Sequence, residues 1–83
     1  MEIEFDPDKD AANIAKHGIS LARAADFELL AFVPDDRFGE PRFRLYGLID
    51  GEFYCLAGTD RNLKVRVISL RRAHAKEFRR HVN

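Results

Sequence analysis

The stretch RFRLYGLIDGEFYCLAGT, Arg42 to Thr59, decides the fold. Asp50-Gly51 at its middle is a two-residue hairpin turn, because both positions of such a turn take positive φ, which these residues tolerate. The flanks alternate in polarity at the period of a strand. Closing the hairpin there pairs Leu48 with Phe53, Tyr46 with Cys55, Arg44 with Ala57 and Arg42 with Thr59. The other face carries Phe43, Leu45, Gly47 and Ile49 beside Tyr54, Leu56 and Gly58. That second face is apolar and is expected to pack on helices, with Tyr54 covering the bare backbone of Gly47. The first face is apolar near the turn and basic at its far end.

Working outward, Asp60-Arg61-Asn62-Leu63 turns the chain into a third strand from Lys64. Placing Val65 and Val67 on the apolar face sets Lys64 and Arg66 beside Arg42 and Arg44. Upstream, Ile3 and Phe5 alternate as a short strand. Asp6 is an N-cap, Pro7 fits the first helical position, and Gly18 supplies the left-handed residue after a helix ending near His17. Ser20 caps a second helix predicted to end near Leu30, with Leu21, Ala24, Ala25 and Leu29 on one face. Phe32-Val33 reads as a short edge strand stopped by Pro34. A basic helix begins near Arg72, with Phe78 and Val82 as its main apolar contacts. The expected architecture is one α+β domain over residues 1–83: two N-terminal helices packed on an antiparallel sheet of three to four strands, followed by a C-terminal helix.

The formal charge sums to zero but is polarised. From Arg61 onward there are eight Lys/Arg against one acidic residue; Met1 to Asp60 holds six against thirteen. This asymmetry points to contact with nucleic acid or another anion; the alternative is a solvated helix salt-bridged to the acidic part. No run approaches the roughly 18 apolar residues of a membrane span, and the acidic N-terminus is neither a signal nor a transit peptide. The cytoplasm of a microbe is the expected compartment. A lone Cys55 forms no internal disulfide and reads as a small buried apolar residue. His17, His74 and His81 have no spacing suited to zinc, so no metal or cofactor is expected.

Phe5 to Ser20, F-D-P-x-K-x-x-x-N-x-x-K-H-G-I-S, resembles the opening of BrnT-type toxins of type II toxin–antitoxin systems. Val65 to Ala73, V-R-V-I-S-L-R-R-A, with Lys76-Glu77 after it, resembles that family's closing motif, and Arg42 matches its arginine before the middle hairpin. The chain departs from the pattern at Phe5, where tryptophan is usual, at Gly58, where tyrosine is common, and in its neutral total charge. The resemblance implies a RelE-like α+β fold, a ribonuclease that stops translation, and neutralisation by a BrnA-type DNA-binding antitoxin in a hetero-oligomer of two chains of each.

Metal-free RNA cleavage needs a base for the 2′-hydroxyl proton, cations to hold the phosphate, and an acid for the leaving oxygen. Arginine suits the middle role because its fork matches phosphate oxygens and stays charged. Arg42, Arg44, Arg66, Arg71 and Arg72 are the candidates, expected to gather around one phosphate-sized pocket. Arg71 and Arg72 also lie near a helix N-terminus. His17 has the chemistry of an acid–base residue, against a capping role at the helix end. Lys16 is placed to hold a phosphate or the helix dipole. Glu77 is a possible base, against an i,i+3 pair with Arg80; His74 is a further candidate. Asn13 is expected to satisfy local backbone. Tyr46 and Phe53 either stack bases or belong to the core. The leading expectation is an RNA-cleaving toxin acting on an RNA substrate; the alternative is a catalytically weak or inactive module that binds an antitoxin or RNA. A DNA-binding module fits poorly, because the short helix pair at residues 7–30 is acidic.

Overall fold

The computed structural model describes residues 1–37 and 39–82. In chain order they form β1 (Ile3–Glu4), α1 (Pro7–His17), a 3₁₀ helix (Leu21–Asp26), β2 (Glu28–Asp35), β3 (Arg42–Ile49), β4 (Glu52–Arg61), β5 (Lys64–Arg72) and α2 (Ala75–His81). The sheet has five strands in the order β1-β5-β4-β3-β2. The β3–β4 hairpin has the register expected from Asp50-Gly51, pairing Leu48 with Phe53 through to Arg44 with Ala57. Both turn residues have positive φ, 52° and 77°.

Two expectations are corrected. The sheet is mixed rather than antiparallel with three to four strands: β1 runs parallel to β5, and β2 is a full partner of β3. The second helix is a short 3₁₀ segment ending at Asp26, and Glu28-Leu29-Leu30 begin β2. The apolar spacing explains this. Leu21, Ala24 and Phe27 are all buried at intervals of three, the period of a 3₁₀ helix, in which positions i and i+3 align. Past Phe27, the backbone of an apolar run is better used completing β3's outer edge.

A β-bulge sets the geometry of the last strand. Ala57 pairs with Ser69 and Gly58 with Val67, leaving Ile68 without an opposite residue. A Cβ on Gly58 would lie 2.8 Å from the Arg66 carbonyl oxygen and 3.2 Å from Val65, so only glycine permits the close approach. The extra residue inverts the alternation, so Val67 and Leu70 both enter one core, and Arg71 comes to lie opposite Cys55.

Helices cover both faces. Leu21, Ala24 and Phe27 from the 3₁₀ segment pack with Phe43, Leu45, Ile49, Leu56, Val67 and Leu70 on one side, and α1 lies on that side against β5. α2 covers the other side. Phe78 stacks on Phe53 at 4.2 Å between centroids, and His81 stacks on Tyr46 at 4.7 Å. Phe78 and Tyr46 are buried, so Tyr46 and Phe53 are core, and α2 is anchored more firmly than its thin apolar stripe suggests. Tyr54 lies across from Gly47 as expected, and the atoms nearest to a Cβ at Gly47 are the Glu28 carbonyl oxygen and the Phe27 ring, where the chain enters β2. No helix among the described residues is long and apolar enough to cross a membrane.

Candidate functional site

α1 starts cleanly because Asp6 accepts from the Asp8 amide at 2.8 Å and Pro7 needs no helical partner. It stops because Gly18, at φ 74°, folds its amide back to Ile14. Between these ends Lys9, Asn13, Lys16 and His17 fall at i, i+4, i+7 and i+8, which is one helical face. That face meets the edge of β5. β1 pairs only with Val65 and Arg66, so the edge further along lacks a strand. Asn13 takes the strand's place. Its Nδ2 donates to the carbonyls of Leu70 and Ile19, both at 2.9 Å, and its Oδ1 accepts from the Leu70 amide at 3.1 Å. The buried Asn13 therefore closes a long-range tie between α1 and β5, where a local role was expected.

Above this tie is a hollow of about 360 Å³ lined by Lys9, Ala12, Asn13, Lys16, His17, Ile68, Ser69 and Arg71. A second hollow of about 160 Å³ is lined by Lys9, Glu40, Arg42, Thr59, Arg61, Arg66 and Ile68. Lys9 and Ile68 belong to both, so the two form one trough along the β5 edge. On the sheet face that packs against the 3₁₀ segment a hollow of about 420 Å³ is lined by Met1, Phe27, Leu29, Phe32, Phe43, Leu45, Val65 and Asp60. It is apolar apart from Asp60 and offers no converging polar groups, which a binding site needs for orientation.

The arginines do not gather at one point. Arg42 pairs with Glu40 at 2.8 Å and Arg66 with Glu4 at 2.9 Å, both in the smaller hollow. Arg71 lies in the larger hollow and makes a two-pronged pair with Glu77 at 3.0 and 2.8 Å. Arg72 is on the other sheet face, paired with Glu52 at 2.6 Å and lying over the Tyr54 ring. Arg44 donates to the Tyr46 hydroxyl at 3.0 Å, which in turn donates to Glu77 at 2.8 Å. Glu77 thus pairs with Arg71 rather than Arg80. The Arg71 fork holds its carboxyl down at about 2, against the opposing effect of burial, with help from the Tyr46 hydroxyl. The Arg71 guanidinium is correspondingly pushed up by Glu77. Burial, then the Glu77 hydrogen bond, pushes the Tyr46 hydroxyl up, and burial raises the Cys55 thiol.

Lys16 and His17 line the larger hollow and, like Lys9, make no ion pair among the described residues. His74 is the exposed N-cap of α2 and lines neither hollow. Sequence reasoning missed Lys9, Thr59, Arg61 and Ser69 as lining groups. Lys9 had a signal: with Asn13 and Lys16 it marks one face of the helix.

Fold and trough together define a class: a small α+β domain with a mixed sheet and a cationic trough along one sheet edge. A family model described as "Ribonuclease toxin, BrnT, of type II toxin-antitoxin system" matches residues 5–77. The chain belongs to this BrnT family. It is similar to the crystal structure of the Brucella abortus ribonuclease toxin, BrnT, with a TM-score of 0.69 and 25% sequence identity over 89% of this chain and 97% of that one. No curated protein gives a match.

Proposed function

We propose that this chain is a ribonuclease toxin that cuts RNA without a metal ion, with the larger hollow as its chemical centre. The observation that carries the reading is an imidazole and two lysines, His17, Lys9 and Lys16, without carboxylate partners among the described residues and facing the same hollow as Arg71. His17 takes the 2′-hydroxyl proton as the 2′-oxygen attacks the neighbouring phosphorus. Arg71 and Lys16 hold the phosphate oxygens as charge builds. The bond to the 5′-oxygen breaks, and a lysine ammonium, Lys9 or Lys16, protonates the departing oxygen. Glu77 is a poor base, since a carboxyl titrating near 2 has little affinity for a proton at neutral pH. Its role is to hold the Arg71 fork. Arg42 and Arg66 contact the RNA outside the chemical centre, and Arg72 takes no part.

In the cell the expected consequence is arrest of translation in the cytoplasm. Neutralisation would come from a DNA-binding antitoxin of the BrnA type, in a hetero-oligomer whose acidic side chains fill the trough. A second reading has its own support: Arg42, Arg66 and Arg71 each already hold a carboxylate, as expected of a module that binds without cutting.

Purified chain incubated with total RNA in excess EDTA separates the two. Cleavage that persists in chelator and disappears in His17→Ala supports the metal-free nuclease. RNA that stays intact, together with unimpaired growth of cells expressing soluble chain, leaves only the binding module.

A further inference from the structure

The trough is divided by chemistry as well as by shape. The larger hollow contains the imidazole. The smaller one is lined by Lys9, Arg42, Arg61 and Arg66 with one carboxylate, Glu40, and by Thr59; Glu4, outside the lining, pairs with Arg66. Neither histidine nor any other group that titrates near neutrality lines it. A place with excess positive charge and no imidazole to take a hydroxyl proton holds an anion without reacting with it. The two hollows share Lys9 and Ile68 as a common wall, so an anion in one is next to an anion in the other. Arg61 makes no ion pair among the described residues, so its donors are available.

We infer that the hollow of Arg42, Arg61 and Arg66 is a subsite for the phosphate adjacent to the one held at His17 and Arg71, so that the substrate is an RNA chain with at least two consecutive phosphates laid along the β5 edge. This rests on the ribonuclease reading above and extends it. Lys9, between the hollows, faces both phosphates, and Ile68 gives the intervening sugar an apolar surface. β5 supplies the path because the bulge at Ile68 lets Arg66 and Arg71 serve the same side of the sheet.

Trinucleotides (two phosphates) and dinucleotides (one) of mixed sequence test it. The trinucleotide is expected to show a kcat/KM about tenfold higher, the worth of roughly one charge-assisted contact. Arg61→Gln should raise the trinucleotide KM to the dinucleotide's without lowering kcat. The logarithmic salt dependence of trinucleotide binding should lose about 0.7 in slope, the value for one phosphate contact on a single strand. Arg72→Ala, on the far face, should preserve the difference between the two substrates. Equal kcat/KM for both, or an Arg61→Gln loss confined to kcat, would overturn the subsite. If neither oligonucleotide is cut, the nuclease reading fails on its own. Equilibrium binding of the same pair then decides the subsite, with equal affinity rejecting it.

Discussion

Replacing Asn13 with Ala tests the joint on which both fold and trough depend. The side chain makes three hydrogen bonds, to Leu70 O, Leu70 N and Ile19 O, and is 5% exposed. A net value of about 1 kcal/mol for each bond gives roughly 3 kcal/mol. The Leu70 amide and carbonyl have no neighbouring strand on that edge, so the penalty for orphaned buried groups works in the same direction. A domain of this size has a total stability of roughly 4–12 kcal/mol, so the loss is a large share. At about 4–8 °C per kcal/mol the melting temperature should fall by about 12–24 °C. Urea unfolding followed by far-ultraviolet circular dichroism suits a chain without tryptophan, and the midpoint should fall with the slope unchanged. Asn13→Asp gives an independent check. A carboxylate still accepts from the Leu70 amide but faces two carbonyl oxygens, so the native state favours its protonated form. Relative to wild type, this variant should be most stable below about pH 4, the ordinary aspartate value, and lose stability as pH rises. A loss under 1 kcal/mol in Asn13→Ala, or a flat pH difference in Asn13→Asp, would refute the account of Asn13 as the substitute strand.

Three other outcomes follow from the same geometry. Arg71→Ala should abolish RNA cleavage while Arg72→Ala leaves it within twofold, in a gel assay of purified proteins, because strand neighbours alternate between faces and the bulge puts Arg71, not Arg72, on the trough side. Glu77 is held at about 2 by Arg71, a native value below its ordinary one. The stability it contributes is therefore present above about pH 4.5 and lost as pH falls toward 2, on the order of 2 kcal/mol. Melts of wild type and Glu77→Gln should converge by that amount over this range, on top of a loss common to both from Asp35, which Arg37 also holds at about 2. Gly47→Ala should cost about 3 kcal/mol or prevent folding in a urea melt, since its Cβ would lie 2.5 Å from the Phe27 ring and closer still to the Glu28 carbonyl oxygen.

What could be read from the residues was local. Asp50-Gly51 set the hairpin register because a two-residue turn leaves no freedom, and Asp6-Pro7 and Gly18 bounded α1 because both caps act within a few residues. The 3₁₀ segment was also within reach, in the spacing of three between Leu21, Ala24 and Phe27. Of β2 only Phe32-Val33 was legible as an edge strand; its start at Glu28 was not, because a short apolar run such as Leu29-Leu30-Ala31-Phe32 suits helix and strand alike, and only the open edge of β3 decides between them. The bulge was hidden for a similar reason. Gly58 hints at it, but the crowding that requires glycine comes from Arg66 and Val65 on the next strand. The face of Arg71 turns on that one residue, so the candidate site could not be assembled from alternation alone.

The charge pattern leaves two meanings open on paper. A basic last third and an acidic remainder read either as contact with nucleic acid or another anion, or as a solvated helix salt-bridged to the acidic part. In the fold two ion pairs join the parts: Glu4 meets Arg66 and Glu52 meets Arg72, across 62 and 20 residues of chain, and within the tail Glu77 meets Arg71. These carboxylates pair three arginines of the strand, Arg66, Arg71 and Arg72, so the most basic segment gives up part of its charge in becoming a strand. Three of the groups left without an ion pair at the trough, the lysines Lys9 and Lys16 and the imidazole of His17, come from α1, in the acidic half of the sequence. Two of the aspartates on this helix are occupied at its ends: Asp6 caps its first turn, and Asp10 accepts from Ser20 and the Leu21 amide. Arginines already oriented by carboxylates, facing lysines and an imidazole with none, suit a site that must order a phosphate before reacting with it: the paired groups set direction, and the unpaired ones supply attraction and proton transfer.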